Sequence, residues 1–157
     1  MTVKDFVYAL AATKKDELSY AQTSDTNKTP AAENLLSIGH KKGWLEDSDE
    51  RFPEATLDRR TAARIIHQYL LIELKIPDLP HISNATKLID LYTCRACANH
   101  IAQIYEHGIM DAEELPSQDS AHPEQTVLVF NHLEPVSQKQ ADEILEKVRK
   151  LINSKID

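Results

Sequence analysis

Two adjacent arginines, Arg59 and Arg60, follow Asp58 at the start of the clearest helical pattern in the sequence. A guanidinium carries paired N–H donors that match a carboxylate, and the first turn of a helix adds backbone N–H groups that favour anions. This arrangement predicts a site for an anionic ligand. The competing interpretation is an ordinary N-cap at Asp58 followed by a solvated first helical turn.

A second candidate site contains sulfur. Cys94 and Cys97 are three residues apart, and His100 follows at the same spacing, so a helix would bring all three near one face. A structural zinc site usually takes four ligands from two paired motifs, and the sequence has no second C-x-x-C. Haem attachment needs His directly after the second Cys, where Ala98 stands. The spacing therefore predicts two small buried thiols, with a redox or disulfide role as the main alternative and no metal.

The other polar clusters predict no catalytic arrangement. Residues 46–50 are acidic but lack the central glycine and alternating ligands of an EF-hand loop, so they predict a solvated acidic loop. The seven His are scattered, and His67 is expected at the boundary of the core. A catalytic triad is defined by geometry rather than by spacing. We therefore predict no catalytic residues, no cofactor and no enzyme activity.

The composition of the sequence argues against several classes of binding partner. The 157 residues include 18 Lys and Arg against 25 Asp and Glu, giving a formal charge of −7, which argues against a nucleic-acid partner. The three Gly form neither a dinucleotide fingerprint nor a phosphate loop. The longest apolar run, residues 6–12, is too short for membrane insertion. We expect a single domain over residues 1–157.

The elements that would position these residues are mostly helices, because apolar residues recur at helical spacing. The predicted helices cover residues 2–14, 30–42, 58–73, 83–91, 93–108 and the region after Ser137. Residues 20–29 predict an exposed linker, and residues 111–125 predict a loop with one helical turn at 112–115. Residues 126–130 have strand composition. The prediction is a mostly α fold with at most a trace of sheet.

Two stretches share one order of features: a helix, a glycine exit, a loop, a Phe and a capped second helix. These features are Gly43, Phe52 and Asp58 in one stretch and Gly108, Phe130 and Ser137 in the other, while Gly39 has no assigned role. A third cap at Thr2 looks like the end of another copy. A helix–loop–helix unit cannot bury its own apolar stripe, so we expect the copies to pack together, with each Phe plugging its loop onto the core. The copies are predicted at residues 1–19, 30–76 and 84–154.

This order of features resembles the S-layer homology domain of bacterial cell-surface proteins. Leu57-Asp58-Arg59-Arg60-Thr61 matches the apolar residue, the cap and the Arg that open the second helix in that family, but it lacks the following Ala-Glu. At the other two caps, Val3 and Gln138 stand where the family has Arg. The resemblance implies a helical bundle of repeats in a pseudo-threefold arrangement.

The resemblance also implies a non-catalytic module that binds secondary cell-wall polysaccharide. Its glycan-binding residues would be Asp58, Arg59, Arg60 and Trp44, with Arg59 on an acidic sugar substituent and Trp44 stacked on a sugar ring. The expected location is the cell surface or secreted if the chain is part of a longer protein; without a signal peptide, a cytoplasmic location stays open. The alternatives are a protein-binding helical scaffold that has lost glycan binding and a small cytoplasmic helical protein with a thiol role.

Overall fold

The structure is a computed structural model that describes residues 1–14 and 31–156. The described residues form six α-helices and one two-stranded sheet. The helices are α1 (Val3–Ala11), α2 (Ala31–Lys42), α3 (Asp47–Arg51), α4 (Arg59–Ile72), α5 (Ala98–Glu106) and α6 (Gln138–Ile156), and the strands are β1 (Glu113–Pro116) and β2 (Thr126–Val129). Two 3₁₀ turns, Ala85–Lys87 and Leu91–Thr93, precede α5. The predicted linker at 20–29 lies outside the described residues.

Helix α4 lies at the centre of the core. It buries the predicted stripe completely, because Ala62, Ile65, Ile66, Tyr69 and Leu70 are all at most 1% exposed. Helices α1 and α5 pack against it, and α6 contacts α1. The apolar stripes predicted for α1 and α6 are also buried, except that Ile152 on α6 is only partly buried, so these three helices form where helical spacing predicts them.

The predicted fold class, a mostly α bundle of repeats in a pseudo-threefold arrangement, is wrong. Strands β1 and β2 pair antiparallel between α5 and α6, with Glu113 opposite Val129, and the fold is mixed α and β. The sequence predicts β2 but places a helical turn where β1 forms. The segment Glu-Glu-Leu-Pro of β1 has no strand-like alternation, and its conformation comes from pairing with β2.

Three local predictions also fail. Residues 83–91 form 3₁₀ turns rather than a helix, and α5 begins at Ala98 rather than near Thr93. Phe130 is buried at 1% exposure, as the expected plug would be, but Phe52 is 60% exposed. The two stretches therefore differ in the feature that should attach each loop to the core.

The glycine exits occur as predicted. Gly43 ends α2 with φ of 95° and Gly108 ends α5 with φ of 75°, a backbone conformation that suits glycine. Gly39 has a packing role that the sequence did not suggest. A Cβ atom at Gly39 would lie 2.6 Å from Leu45 Cδ1, so only glycine lets the Trp44–Leu45 turn pack this closely on α2.

The starts of α1, α4 and α6 are joined by two sets of equivalent backbone hydrogen bonds. We call residues 1–4 with residues 53–57 the first cap junction, and residues 57–60 with residues 132–136 the second cap junction. In the first, Leu57 N donates to Met1 O at 3.0 Å, Val3 N to Ala55 O at 3.0 Å and Lys4 N to Pro53 O at 2.9 Å. In the second, Val136 N donates to Leu57 O at 2.9 Å, Arg59 N to Glu134 O at 2.9 Å and Arg60 N to His132 O at 2.8 Å.

Each of the three helices starts at a side-chain cap. Thr2 Oγ1 accepts from Asp5 N at 3.1 Å, Asp58 Oδ1 from Thr61 N at 2.9 Å and Ser137 Oγ from Gln140 N at 3.1 Å. All three bonds span three residues, as in a standard N-cap. The predicted caps are therefore confirmed, and the cap junctions bring their three segments side by side.

Candidate functional site

The four residues of the predicted glycan site do not form one site. Trp44 is 2% exposed and packs edge-on against Tyr69, with 4.9 Å between ring centroids. A buried ring cannot stack on a sugar, so the predicted role of Trp44 in ligand binding is wrong. Asp58 caps α4, as the alternative to a ligand-binding role predicted.

Arg59 is bound within the protein. Its Nε donates to Phe130 O at 2.8 Å, its Nη2 donates to Asp111 O, and its guanidinium carbon lies 4.4 Å from the centroid of the Phe130 ring. Burial lowers the pKa of Arg59 from its ordinary value. Because its donors point at two backbone carbonyls, Arg59 fixes the second cap junction and does not offer a fork to a ligand. This corrects its predicted contact with a sugar.

Arg60 is the predicted arginine that reaches solvent. Its side chain is 44% exposed, and its Nε lies 3.3 Å from Asp58 Oδ2. It lines an open groove of about 320 Å³, which we call the α4 groove. The other lining residues come from the start of α3, from α4, from the turn before α5 and from α5 itself: Glu46, Ser48, Thr61, Arg64, Cys94, Ala96, Cys97 and His100. The groove thus joins the predicted arginine with the cysteine motif.

Arg64, which lines the α4 groove, forms an ion pair with the buried Asp49. Arg64 Nη1 and Nη2 each donate to one carboxylate oxygen of Asp49 at 2.8 Å, and Asp49 is 2% exposed. Asp49 also accepts a hydrogen bond from Glu46 N at 2.8 Å. The predicted solvated acidic loop is therefore wrong at Asp49, because this bidentate pair holds the short helix α3 against α4.

Cys94 and Cys97 form a disulfide, with 5.2 Å between their Cα atoms. The leading prediction of two buried thiols is wrong, and the alternative of a disulfide matches the structure. Both residues are half-buried. Cys97 is the N-cap residue of α5 and packs against the core, whereas Cys94 lies in the preceding turn.

Next to the disulfide, three side chains form the Asp78–His67–His100 chain. His67 Nε2 lies 2.6 Å from Asp78 Oδ1, and His67 Nδ1 lies 2.8 Å from His100 Nδ1. An ionised carboxylate only accepts hydrogen bonds, so His67 donates from Nε2. The two Nδ1 atoms of His67 and His100 share one proton, and the tautomers of the rings decide which of them donates it.

Position and burial both fix this chain. Gln103 on α5 is 3% exposed and bonds to both backbone groups of Leu79, at 2.8 Å and 3.1 Å, which holds the segment carrying Asp78. Burial, with His67 and Arg64 nearby, lowers the pKa of His100 to about 4. His100 is therefore neutral at pH 7.

The sequence analysis did not predict the Asp78–His67–His100 chain. His67, expected at the core boundary, is 3% exposed. Asp78 and Gln103 carried no signal, because the three contributing segments meet only in the folded protein. In the part of the chain that the structure describes, no group of three His, Cys, Asp or Glu residues could hold a metal ion. None of the described helices combines the length and apolar character needed to span a membrane.

Comparison with models of known protein families, with curated proteins and with solved structures found no match. The function is therefore inferred from the α4 groove and its residues.

Proposed function

We propose that this protein is a non-catalytic module that binds an anionic cell-wall polysaccharide of bacteria in the α4 groove. The observation that carries the proposal is the exposed guanidinium of Arg60 at the rim of an open groove. An Arg side chain can bind a carboxylate substituent through two parallel hydrogen bonds.

The remaining contacts of the ligand would come from side chains. The backbone amides of Arg59 and Arg60 already bond to the second cap junction, and Thr61 N bonds to Asp58. The hydroxyls of Ser48 and Thr61 and the carboxylate of Glu46 face the groove and can bond to sugar hydroxyls. Arg64 is bound to Asp49, so Arg60 is the cation that remains for an acidic substituent.

The cap junctions also support the proposal. The resemblance to S-layer homology domains relates the three caps at Thr2, Asp58 and Ser137, and the structure places these caps side by side through equivalent hydrogen bonds. In that comparison the caps at Thr2 and Ser137 lack an arginine. We therefore expect one binding groove rather than three.

A binding assay on immobilised secondary cell-wall polysaccharide with acidic substituents tests the proposal. Arg60→Gln should weaken binding about tenfold or more, because one charge-assisted contact contributes roughly 1.5–3 kcal/mol. Arg149→Gln is the matched control, since Arg149 on α6 is 46% exposed and does not line the groove. Equal binding by wild type and Arg60→Gln would exclude this site. No binding by wild type would exclude the function.

A protein-binding scaffold is the second candidate, favoured by exposed apolar side chains around Asp90. Ile89 and Tyr92 are each 65% exposed and Leu133 is 58% exposed. Asp90 and Leu133 line a second groove, in which the Asp90 carboxylate accepts from Phe130 N and Asn131 N at 2.8 Å. Exposed apolar patches often mark contact surfaces. Crosslinking of one surface protein from position 133 but not from position 149, without polysaccharide binding, would favour this candidate.

A further inference from the structure

We propose that Cys94–Cys97 is a redox-active disulfide that exchanges with a small thiol in the α4 groove. Both cysteines and His100 line this groove. The inference does not depend on polysaccharide binding, because it is tested by electron exchange alone.

The two sulfur atoms have different surroundings. Cys97 packs against the core and occupies the N-cap of α5, a helix of nine residues. The N-terminus of a helix stabilises a thiolate, and a stabilised thiolate leaves more readily. We therefore assign Cys94 as the sulfur that the thiol attacks and Cys97 as the sulfur that leaves.

His100 lies on α5, one helical turn after Cys97, and lines the groove with both cysteines. Burial lowers its pKa to about 4, so at neutral pH it is uncharged and too weak a base to take the proton of a thiol with a pKa of about 8.5. The attacking thiol therefore reacts as the thiolate that it forms in solution.

The reaction balances with two equivalents of thiol. The first thiol loses its proton to solvent, and the thiolate attacks Cys94 Sγ; the S–S bond breaks and Cys97 leaves as a thiolate. A second thiolate attacks the substrate sulfur of the mixed disulfide and releases Cys94. The products are one substrate disulfide and two protein thiols, so the substrate loses two electrons and the protein gains them.

A purely structural role accounts less well for this bond. A disulfide stabilises a fold mainly by restricting the unfolded chain, and the stabilisation is smaller when the loop that it closes is shorter. Cys94 and Cys97 are only three residues apart, so the disulfide closes a very short loop. The bond is also half-exposed at a groove rather than enclosed in the core.

The first test measures equilibrium with reduced and oxidised glutathione. The full chain is incubated in buffers of varied glutathione ratio, and its thiols are trapped by alkylation and counted by mass spectrometry. We expect the protein to pass from fully oxidised to fully reduced within the range of ratios. A disulfide that remains oxidised at every ratio, or never forms, would overturn the proposal.

The second test measures the rate of reduction by glutathione between pH 5 and pH 10. The rate should rise about tenfold per pH unit below the thiol pKa of about 8.5 and level off above it, because the thiolate is the attacking species. A rate of reduction that does not change with pH in this range would contradict attack by a thiolate on the disulfide.

The third test identifies the attacked sulfur and the size of the substrate. Rapid alkylation during reduction of the wild type by glutathione, followed by mass spectrometry, should find glutathione on Cys94 and the alkyl group on Cys97; the reverse pattern would contradict our assignment. Reduced glutathione should also react faster than a folded protein with one exposed cysteine. Faster reaction of the protein thiol would overturn the assignment of a small thiol as substrate.

Discussion

The two cap junctions have the same backbone hydrogen bonds and different side chains. In the first, the residue after the cap is Val3, which is 4% exposed and packs in the core. In the second, the equivalent residue is Arg59, which bonds to Phe130 O and Asp111 O. Lys4 in the first junction forms an ion pair with the exposed Glu54.

This difference separates what the backbone determines from what side chains determine. A side-chain cap and an extended neighbouring segment are enough to produce the same bonds twice, with either Val or Arg after the cap. The second cap junction has in addition a buried aromatic ring beneath a guanidinium. We expect mutations to separate the contribution of the backbone hydrogen bonds to stability from the contribution of these side chains.

Phe130→Ala should give the largest effect and break the second cap junction. Phe130 is 1% exposed, and truncation of a buried Phe lowers the free energy of unfolding by roughly 3–5 kcal/mol. Phe52→Ala, directly before the first cap junction, should change it by less than about 0.5 kcal/mol, because that side chain is 60% exposed. Urea denaturation of both variants measures the difference. Similar losses would show that the two Phe residues have equivalent roles after all.

Arg59→Met should lower the free energy of unfolding by about 1–2 kcal/mol. Met keeps the aliphatic contacts but leaves Phe130 O, in a part-buried hydrogen bond, without its donor, whereas water can replace the donor at the exposed Asp111 O. Arg60→Met, one residue along, should change stability by less than about 0.5 kcal/mol, because its ion pair with Asp58 is exposed to solvent. The same denaturation experiment measures both. A large loss for Arg60→Met would indicate that Arg60 is also structural.

Substitution of the three N-cap residues should lower stability by similar amounts, because the backbone hydrogen bonds around them are equivalent. Thr2→Ala, Asp58→Ala and Ser137→Ala each remove one cap bond and should each lower stability by roughly 1 kcal/mol. Conservative changes such as Ser137→Thr should have little effect. If Asp58→Ala is much more damaging than the other two, Asp58 has a role beyond its cap.

The sequence predicted what depends on local pattern. Helical spacing and capping residues locate α1, α4 and α6, and glycine positions locate the ends of α2 and α5. These signals are local because a cap bond spans three residues. The sequence could not predict β1, whose conformation depends on pairing with a strand that begins ten residues after it ends.

The candidate site was predicted only in part, and for the same reason. Arg60 and the cysteine motif were singled out separately, but nothing in the sequence placed them in one groove. Trp44 and Arg59 have residue types that suit a ligand, yet core packing and two distant carbonyls occupy them. His67, Asp78 and Gln103 converge from separate segments, and such convergence leaves no spacing to detect.

Lys4→Met should give the smallest effect, with no measurable loss of stability at moderate salt. Lys4 Nζ donates to Glu54 Oε1 at 2.6 Å, but the Glu54 side chain is 68% exposed, and solvent and salt weaken such pairs. The hydrogen bond with Glu54 raises the pKa of Lys4 above its ordinary value of 10.5. A raised pKa in the folded state means that any contribution is present below pH 10.5 and is lost as the pH rises through the folded value. Wild type and Lys4→Met should therefore differ, if measurably at all, only at low salt and below pH 10.5. If wild type remains more stable than Lys4→Met at high salt, a charged side chain fixes the first cap junction as Arg59 fixes the second. The two junctions would then differ only in how deeply that charged side chain is buried.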